Sequence, residues 1–260
     1  MSDPPQNPSI APGAAHGISL IFIVMVLVFA GAALELGLGR GGAIGVFVFV
    51  FVGWIISLCL HEWGHAATAW AGGDRSVEEL GYLTLNPLRY ANPFLSIVIP
   101  LLFLAMGGIG FPGGAVYVNT NALRGPGWRA AVSAAGPAMN FIFLVAVALI
   151  IHLGGAGGTL LAALAFLGLL QATAFVLNLL PIPGLDGFGI VQSLFPQSER
   201  AAMAQIGRFV SLAFFVVVIS APQVLAPVWE AALSICNFVG IDRGDIANGA
   251  VLFQFWDRGR

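Results

Sequence analysis

Residues 43–71 read AIGVFVFVFVGWIISLCLHEWGHAATAWA, an apolar stretch with one short polar motif, His61-Glu62-Trp63-Gly64-His65, near its C-terminal end. The stretch is long enough to cross a bilayer, because about 20 helical residues span the hydrocarbon core. No charged residue occurs from Gly41 to His61. We therefore expect a membrane-spanning helix that carries a polar site close to one end.

The rest of the chain has the same character. Of its 260 residues, 58% are hydrophobic and 8% are charged, whereas soluble domains carry about 25% charged residues. The mean hydropathy is +0.93. Long charge-free stretches predict six membrane spans, at Ile18–Leu38, Ala43–Ala71, Pro93–Ile109, Arg129–Leu153, Thr159–Leu180 and Ala201–Leu225.

These spans predict an all-α polytopic membrane protein with one membrane domain. We expect residues 1–17, which are rich in Pro and Gly, to form a flexible tail. Residues 18–228 are expected to form the transmembrane domain. Residues 229–260 mix aromatic with charged side chains, which favours an interfacial segment.

Charge and cysteine content exclude two classes of protein. The net charge is -2 and the ten basic residues form no cluster, so the sequence has no electrostatic footprint for nucleic acid. Cys59 and Cys236 lie in or beside apolar segments, far apart in sequence. They provide no disulfide framework, and we interpret both as packing residues.

Two connections have an unusual composition for simple loops. GYLTLNPLRY at 81–90 and FPGGAVYVNTN at 111–121 combine β-branched or aromatic residues with Gly, Pro and Asn, which favours extended strands and turns. They are either ordinary surface loops or re-entrant, strand-like segments near the active site. In the second case they must be buried in protein or line a water-filled cavity.

The HEWGH motif carries the chemistry. On a helix, His61 and His65 lie on one face at positions i and i+4, where both imidazoles can bind one Zn²⁺. Glu62 lies about 100° around the helix, outside the metal ligands but able to act as a general base. A charged residue at the centre of a span costs about 2.5–3.5 kcal/mol on insertion scales, which favours a functional role over a buried His pair without metal.

A tetrahedral catalytic zinc needs a third protein ligand and an open position. Beyond span two, Asp186 in NLLPIPGLDG is the acidic residue inside the apolar block. Pro181, Pro183 and Gly184 favour an irregular turn that can bring this carboxylate to the histidines. Asp186 can equally cap a short following helix, and the two roles are compatible.

Two amides lie near membrane depth. Asn140, in AAGPAMN, is either a donor to a substrate carbonyl or oxyanion, or a partner for backbone groups freed near Pro137. For Asn178, before the Pro-rich turn, we favour a structural role.

Together, HEWGH in span two, AAGPAMN opening span four and NLLPIPGLDG closing span five resemble the site-2 protease family of intramembrane zinc metalloproteases. The similarity covers residues 46–190 and is greatest to the minimal six-span branch without a PDZ domain. It implies that His61, His65 and Asp186 bind one zinc per chain and that Glu62 is the catalytic base. It also implies that Asn140 and the GYLTLNPL segment, including Leu83, Thr84, Leu85 and Asn86, help to hold an unwound substrate.

The chain departs from this family's pattern at three places. Tyr90 and Asn92 stand where close relatives often have His and Asp, and Gly113 or Gly114 stands in place of a Lys. These departures bear on substrate positioning and gating and leave the metal chemistry intact.

From residues and resemblance together we expect an intramembrane zinc endopeptidase that cleaves in or near the transmembrane segment of a single-span protein. Its partners are then that substrate and the lipid bilayer, with no nucleic acid. We expect it in the plasma or inner membrane of a prokaryote, with the site opening through the Asp74 end of span two to the cytosol. The alternatives are a non-catalytic relative that binds membrane proteins and a metal or proton transporter.

Overall fold

The computed structural model describes residues 17–90 and 116–257. Within these ranges the chain is helical and contains no strand, which confirms the predicted all-α class. The nine α-helices of the described residues are α1 Leu20–Gly37, α2 Gly42–Gly72, α3 Ser76–Glu79, α4 Pro126–Leu153, α5 Gly158–Asn178, α6 Asp186–Ser193, α7 Gln197–Ser220, α8 Ala226–Phe238 and α9 Arg243–Phe253.

Five of these helices, α1, α2, α4, α5 and α7, are long and apolar enough to cross a membrane. Helices α8 and α9, with the 3₁₀ turn before them, form a pair bent by 119° that is apolar enough to count as a sixth. The observed ends agree closely with five of the predicted spans. The predicted span at 93–109, the departures at Asn92 and Gly113, and the predicted tail up to residue 16 lie outside the described residues.

Helix α5 forms the centre of the protein. Every residue from Ala162 to Ala174 is buried, and the small residues Ala and Gly allow neighbouring helices to approach closely. At its crossing with α9, a Cβ on Gly249 would lie 2.7 Å from the Cβ of Phe166. The segment predicted to be interfacial thus contains a helix that packs on α5, and its position relative to a bilayer stays a prediction.

Helices α1 and α7 lie at the periphery and expose most of their apolar side chains, as expected for lipid-facing helices. Helix α1 is attached at its start, where the Ser19 side chain accepts a hydrogen bond from Phe22 N at 3.1 Å. The Ser19 N–H also donates to the Thr84 carbonyl at 2.9 Å. These bonds fix the start of α1 beside the segment that follows α3.

The segment 81–90 differs from the extended conformation that its composition favours. It forms two 3₁₀ turns, Tyr82–Thr84 and Pro87–Arg89. Gly81 and Leu85 both have left-handed backbone angles, with φ of 75° and 58°, and the Asn86 side chain accepts a hydrogen bond from Leu88 N. These local bonds satisfy backbone groups within the segment, so it needs no strand partner.

Candidate metal centre

The C-terminal half of α2 presents His61 and His65 one turn apart on a buried face. Their side chains come from a helix that is apolar on all sides, and their Nε2 atoms lie 3.1 Å apart. Helical periodicity alone produces this pairing, as the i, i+4 spacing predicts.

Asp186 completes a three-residue cluster. It is the first residue of α6, and its Oδ2 and Oδ1 atoms lie 3.2 Å from His61 Nε2 and 3.3 Å from His65 Nε2, respectively. The turn from α5 to α6 passes through Gly184 at φ 95° and brings the carboxylate to the histidines. The helix predicted after Asp186 is present, but its N-cap is Leu185, and no side chain caps it.

The outer nitrogen of each imidazole already has a partner. His65 Nδ1 lies 2.7 Å from the carbonyl oxygen of Val132, and His61 Nδ1 lies 2.7 Å from Oδ1 of Asn140. Since a carbonyl can only accept, each neutral imidazole carries its proton on Nδ1. The two Nε2 lone pairs then face each other and the carboxylate, an arrangement of acceptors that a shared cation would stabilise.

Two further observations fit a metal ion held by His61, His65 and Asp186. The ligand atoms of these three residues all lie within 4.8 Å of one another, and Asp186 Oδ2 is buried without a hydrogen-bond partner. Gly136 of α4 faces the cluster, where a Cβ would overlap His65 Nε2 and lie 2.6 Å from His61 Nε2. The absent side chain leaves space against both nitrogens.

Glu62 is buried beside this cluster. One of its oxygens, Oε2, accepts a hydrogen bond of 3.2 Å from the backbone N–H of Val116. Its side chain lines the same cavity as His61, His65 and Asp186. A carboxylate in this position can accept a proton from water in the cavity beside the cluster.

A cavity of about 600 Å³ joins these residues to the end of α2 that leads to Asp74. Thr120 and Asn121 line this cavity, and the neighbouring Asn119 N–H donates to the buried Asp74 carboxylate at 2.7 Å. Arg129 and Arg200 also line it, without a carboxylate partner among the described residues. The cavity lining thus combines the cluster of His61, His65 and Asp186 with the Glu62 carboxylate and two guanidinium groups.

Several residues that were predicted to contact the substrate lie outside the cavity or bond to other groups of the protein. None of the residues Leu83, Thr84, Leu85 and Asn86 lines this cavity, and the Thr84 hydroxyl donates to the carbonyl of Gly81. The Asn140 amide contacts His61 through Oδ1 and donates through Nδ2 to Gln171 Oε1 at 3.0 Å. Their predicted roles in substrate binding stay predictions.

Tyr90, one of the departures from the family pattern, is buried against α2. Its hydroxyl donates to the carbonyl of Cys59 at 3.2 Å, two residues before His61. Asn178, for which a structural role is expected, is buried and lines the cavity.

Sequence reasoning missed three contributors to the cluster. Gly136 and the carbonyl of Val132 carry no sequence signal, because their roles depend on how α4 packs on α2. Gln171 does carry a signal, since it is a lone amide within the apolar helix α5 and is fully buried there.

Comparison with known proteins agrees with this geometry. The chain is 44% identical over 208 residues to "Putative zinc metalloprotease Rip2" of Mycolicibacterium smegmatis, covering 78% of this chain and 79% of that protein. The Mycobacterium tuberculosis H37Rv protein of the same name is 44% identical over 212 residues, with the same coverage. "Putative zinc metalloprotease YwhC" of Bacillus subtilis is 32% identical over 176 residues, 64% of this chain and 78% of that protein. No protein-family model and no solved structure matches the chain.

A helical membrane fold with an HExxH helix, whose two histidines meet an acidic residue from another helix, defines a membrane-embedded zinc metalloprotease. Its cofactor is Zn²⁺, as the relatives' names indicate. The chain belongs to the site-2 protease family of zinc metalloproteases.

Proposed function

We propose that this metalloprotease is an intramembrane endopeptidase that hydrolyses a peptide bond in or near the transmembrane segment of a single-span membrane protein. The observation that carries the proposal is the cluster of buried His61 and His65 with half-buried Asp186, whose histidines lie on a helix long and apolar enough to cross the membrane. A protease site on such a helix is suited to a substrate that enters from the bilayer.

In this proposal His61, His65 and Asp186, all of which line the cavity, would hold one Zn²⁺. Zinc, when bound, acidifies water to a pKa of about 7 and polarises a peptide carbonyl. The chain supplies the remaining functions: two imidazoles and a carboxylate as ligands, and a neighbouring carboxylate for proton transfer.

Glu62 acts as the general base and then as the general acid. Its carboxylate accepts a proton from the attacking water and returns that proton to the amine of the departing peptide. The Val116 N–H, 3.2 Å from Oε2, orients the carboxylate. Glu62 ends the cycle in the protonation state in which it began, so no further proton donor or acceptor is needed.

The substrate must unwind before cleavage, because a helix engages its own carbonyls and presents no extended segment to the site. The cavity volume of about 600 Å³ is sufficient for a short extended peptide segment. Substrates with helix-breaking Gly, Pro or Asn in the span should therefore be cleaved faster. Whether Asn140 or Leu83, Thr84, Leu85 and Asn86 contact the substrate is part of the same proposal.

The direct experiment is gel-based cleavage of a panel of single-span substrates by purified protein in detergent. Wild type, Glu62→Gln and wild type with a zinc chelator are compared. Glu35→Gln is the matched control, because it removes an exposed carboxylate at the far end of α1. We expect cleavage by wild type and Glu35→Gln only, with zinc retained by Glu62→Gln. Undiminished turnover in Glu62→Gln would overturn the mechanism, and bound zinc without any cleavage would favour a non-catalytic binding protein.

We further propose that the protein lies in the plasma or inner membrane of a prokaryote, with the cavity open to the cytosol. The test uses two cysteine substitutions at opposite ends of α2. Asn121→Cys lies at the cavity. Gly157→Cys lies in the connection from α4 to α5, close to Thr159, whose hydroxyl donates to the Leu36 carbonyl near the start of α2. Cys59 and Cys236 are buried and give little background. An impermeant maleimide should label position 157 in intact cells and position 121 only after permeabilisation. The reverse pattern would contradict this orientation.

A further inference from the structure

A chain of buried polar side chains continues from the metal cluster into the centre of the protein. His61 Nδ1 lies 2.7 Å from Asn140 Oδ1, and Asn140 Nδ2 donates to Gln171 Oε1 at 3.0 Å. Gln171 Nε2 donates to Ser57 Oγ at 3.0 Å, and the Ser57 hydroxyl donates to the Trp54 carbonyl at 2.8 Å. The chain joins α2, α4 and α5.

All these side chains are buried, with exposed fractions of 5% or less. Gln171 is completely buried and has apolar residues on both sides of it along α5. In such surroundings an unpaired amide is costly, so each member is held to its partner. These hydrogen bonds are therefore coupled, so that a change in the orientation of one side chain changes the orientation of the next.

The donor and acceptor roles in this series of hydrogen bonds are set at the end away from the metal cluster, at Trp54. The carbonyl of Trp54 can only accept, so the single hydroxyl proton of Ser57 points to it, and Ser57 Oγ accepts from Gln171. Gln171 must then turn its oxygen to Asn140. Asn140 in turn presents its NH₂ to Gln171 and its oxygen to His61.

These donor and acceptor roles determine which nitrogen of His61 carries the proton. With Asn140 Oδ1 as acceptor, the proton of a neutral His61 lies on Nδ1, and the Nε2 lone pair faces His65 and Asp186. If the Asn140 amide were reversed, its NH₂ would face Nδ1, and the proton would lie on Nε2, where it blocks a metal. The tautomer of His65 does not depend on an amide, because its Nδ1 faces the backbone carbonyl of Val132, which can only accept.

We propose that Gln171 is a positioning residue for zinc binding: through Asn140, and anchored by Ser57, it fixes the His61 tautomer that leaves Nε2 free for the metal. The inference concerns zinc affinity and does not depend on which substrate is cleaved. Partners that bond directly to a metal ligand, as Asn140 bonds to His61, contribute about 10- to 100-fold to metal affinity, and Gln171 acts on His61 through this partner.

The test is the zinc dissociation constant of the purified full chain, measured by competition with a chromophoric chelator. Gln171→Met keeps the size and removes both polar groups, and we expect at least tenfold weaker binding. Gln171→Glu keeps an oxygen acceptor towards Asn140 in either protonation state, so we expect affinity within about threefold of wild type. Thr173→Val is the matched control, because Thr173 is also fully buried on α5 but bonds only to the Leu169 carbonyl.

Thermal unfolding of the metal-free variants separates this role from a structural one. Gln171→Met with unchanged zinc affinity, or Gln171→Glu as weak as Gln171→Met while unfolding at the wild-type temperature, would overturn the proposal. If Gln171→Met does not fold, Ser57→Ala takes its place. That change frees the amide of Gln171 to reverse, and it is expected to weaken zinc binding severalfold; wild-type affinity in Ser57→Ala would equally overturn the proposal.

Discussion

The backbone N–H of Val116 donates to Oε2 of Glu62 at 3.2 Å, which joins the loop before α4 to the carboxylate next to the histidine cluster. The same loop is fixed to the end of α2 at two other points. Asn119 N–H bonds to Asp74 at 2.7 Å, and Arg124 N–H bonds to the carbonyl of Gly72 at 3.1 Å. Glu62 is therefore fixed both by its place in α2 and by its hydrogen bond to the loop that lines the cavity.

Removing this N–H should slow catalysis without loss of zinc. Val116→Pro lacks the donor, whereas Val116→Ala keeps it and serves as control. A hydrogen bond to a charged group contributes about 1.5–3 kcal/mol, so we expect kcat to fall at least tenfold in Val116→Pro. Steady-state cleavage and metal analysis measure both quantities, and equal kcat in the two variants would exclude an orienting role.

Gly136→Ala should abolish high-affinity zinc binding. Its Cβ would overlap His65 Nε2 and lie 2.6 Å from His61 Nε2, where the proposed zinc ligands converge. Gly127→Ala, at the start of the same helix, adds a Cβ with nothing within 4 Å. Chelator competition should show loss of tight zinc binding in Gly136→Ala and wild-type binding in Gly127→Ala. Tight zinc binding by Gly136→Ala would place the metal elsewhere.

Asp186→Asn should weaken zinc binding while the fold is kept. The amide has the size of the carboxylate but lacks its charge, and Oδ2 of Asp186 makes no hydrogen bond in the protein. Asp245→Asn is the control, because Asp245 also lies in the first turn of a helix and does not line the cavity. Zinc content after dialysis should fall in Asp186→Asn alone, and equal zinc in both variants would argue against Asp186 as a ligand.

Asp74 should stabilise the loop over the cavity. Its buried carboxylate accepts hydrogen bonds from Ser76 N, the Ser76 hydroxyl and Asn119 N. Asp74→Ala leaves these donors without their partner, which costs about 1–3 kcal/mol, whereas Asp74→Asn keeps one acceptor oxygen. We expect limited proteolysis within residues 116–125 to be faster in Asp74→Ala than in Asp74→Asn. Identical proteolysis rates would show that the loop is held by other contacts.

The sequence predicted the parts of this site that depend on local geometry. The spacing of His61 and His65 fixes them on one helical face, and the length of the apolar runs fixes five of the spans to within a few residues. Asp186 is distant in sequence, yet its isolation in an apolar block and the Pro-Gly turn before it marked it as a candidate.

Contacts that depend on helix packing were beyond sequence reasoning. The role of Asn140 towards a substrate stays a prediction, and the sequence did not predict that its amide bonds to His61 and Gln171 from two other helices. The same holds for Gly136, whose missing side chain matters only because α4 crosses α2 at the histidines. In segment 81–90, the β-branched and aromatic composition favoured strands, whereas local capping by Asn86 and the left-handed Leu85 produce 3₁₀ turns.

The position of the cleaved bond tests the proposed intramembrane activity most directly. A single-span substrate is incubated with zinc-loaded wild type and with Glu62→Gln, and the products are measured by intact-mass spectrometry. We predict two fragments from wild type that meet at a bond in or next to the transmembrane segment, and no fragments from Glu62→Gln. Cleavage confined to the soluble part of the substrate, or the same fragments from both proteins, would contradict the proposed function.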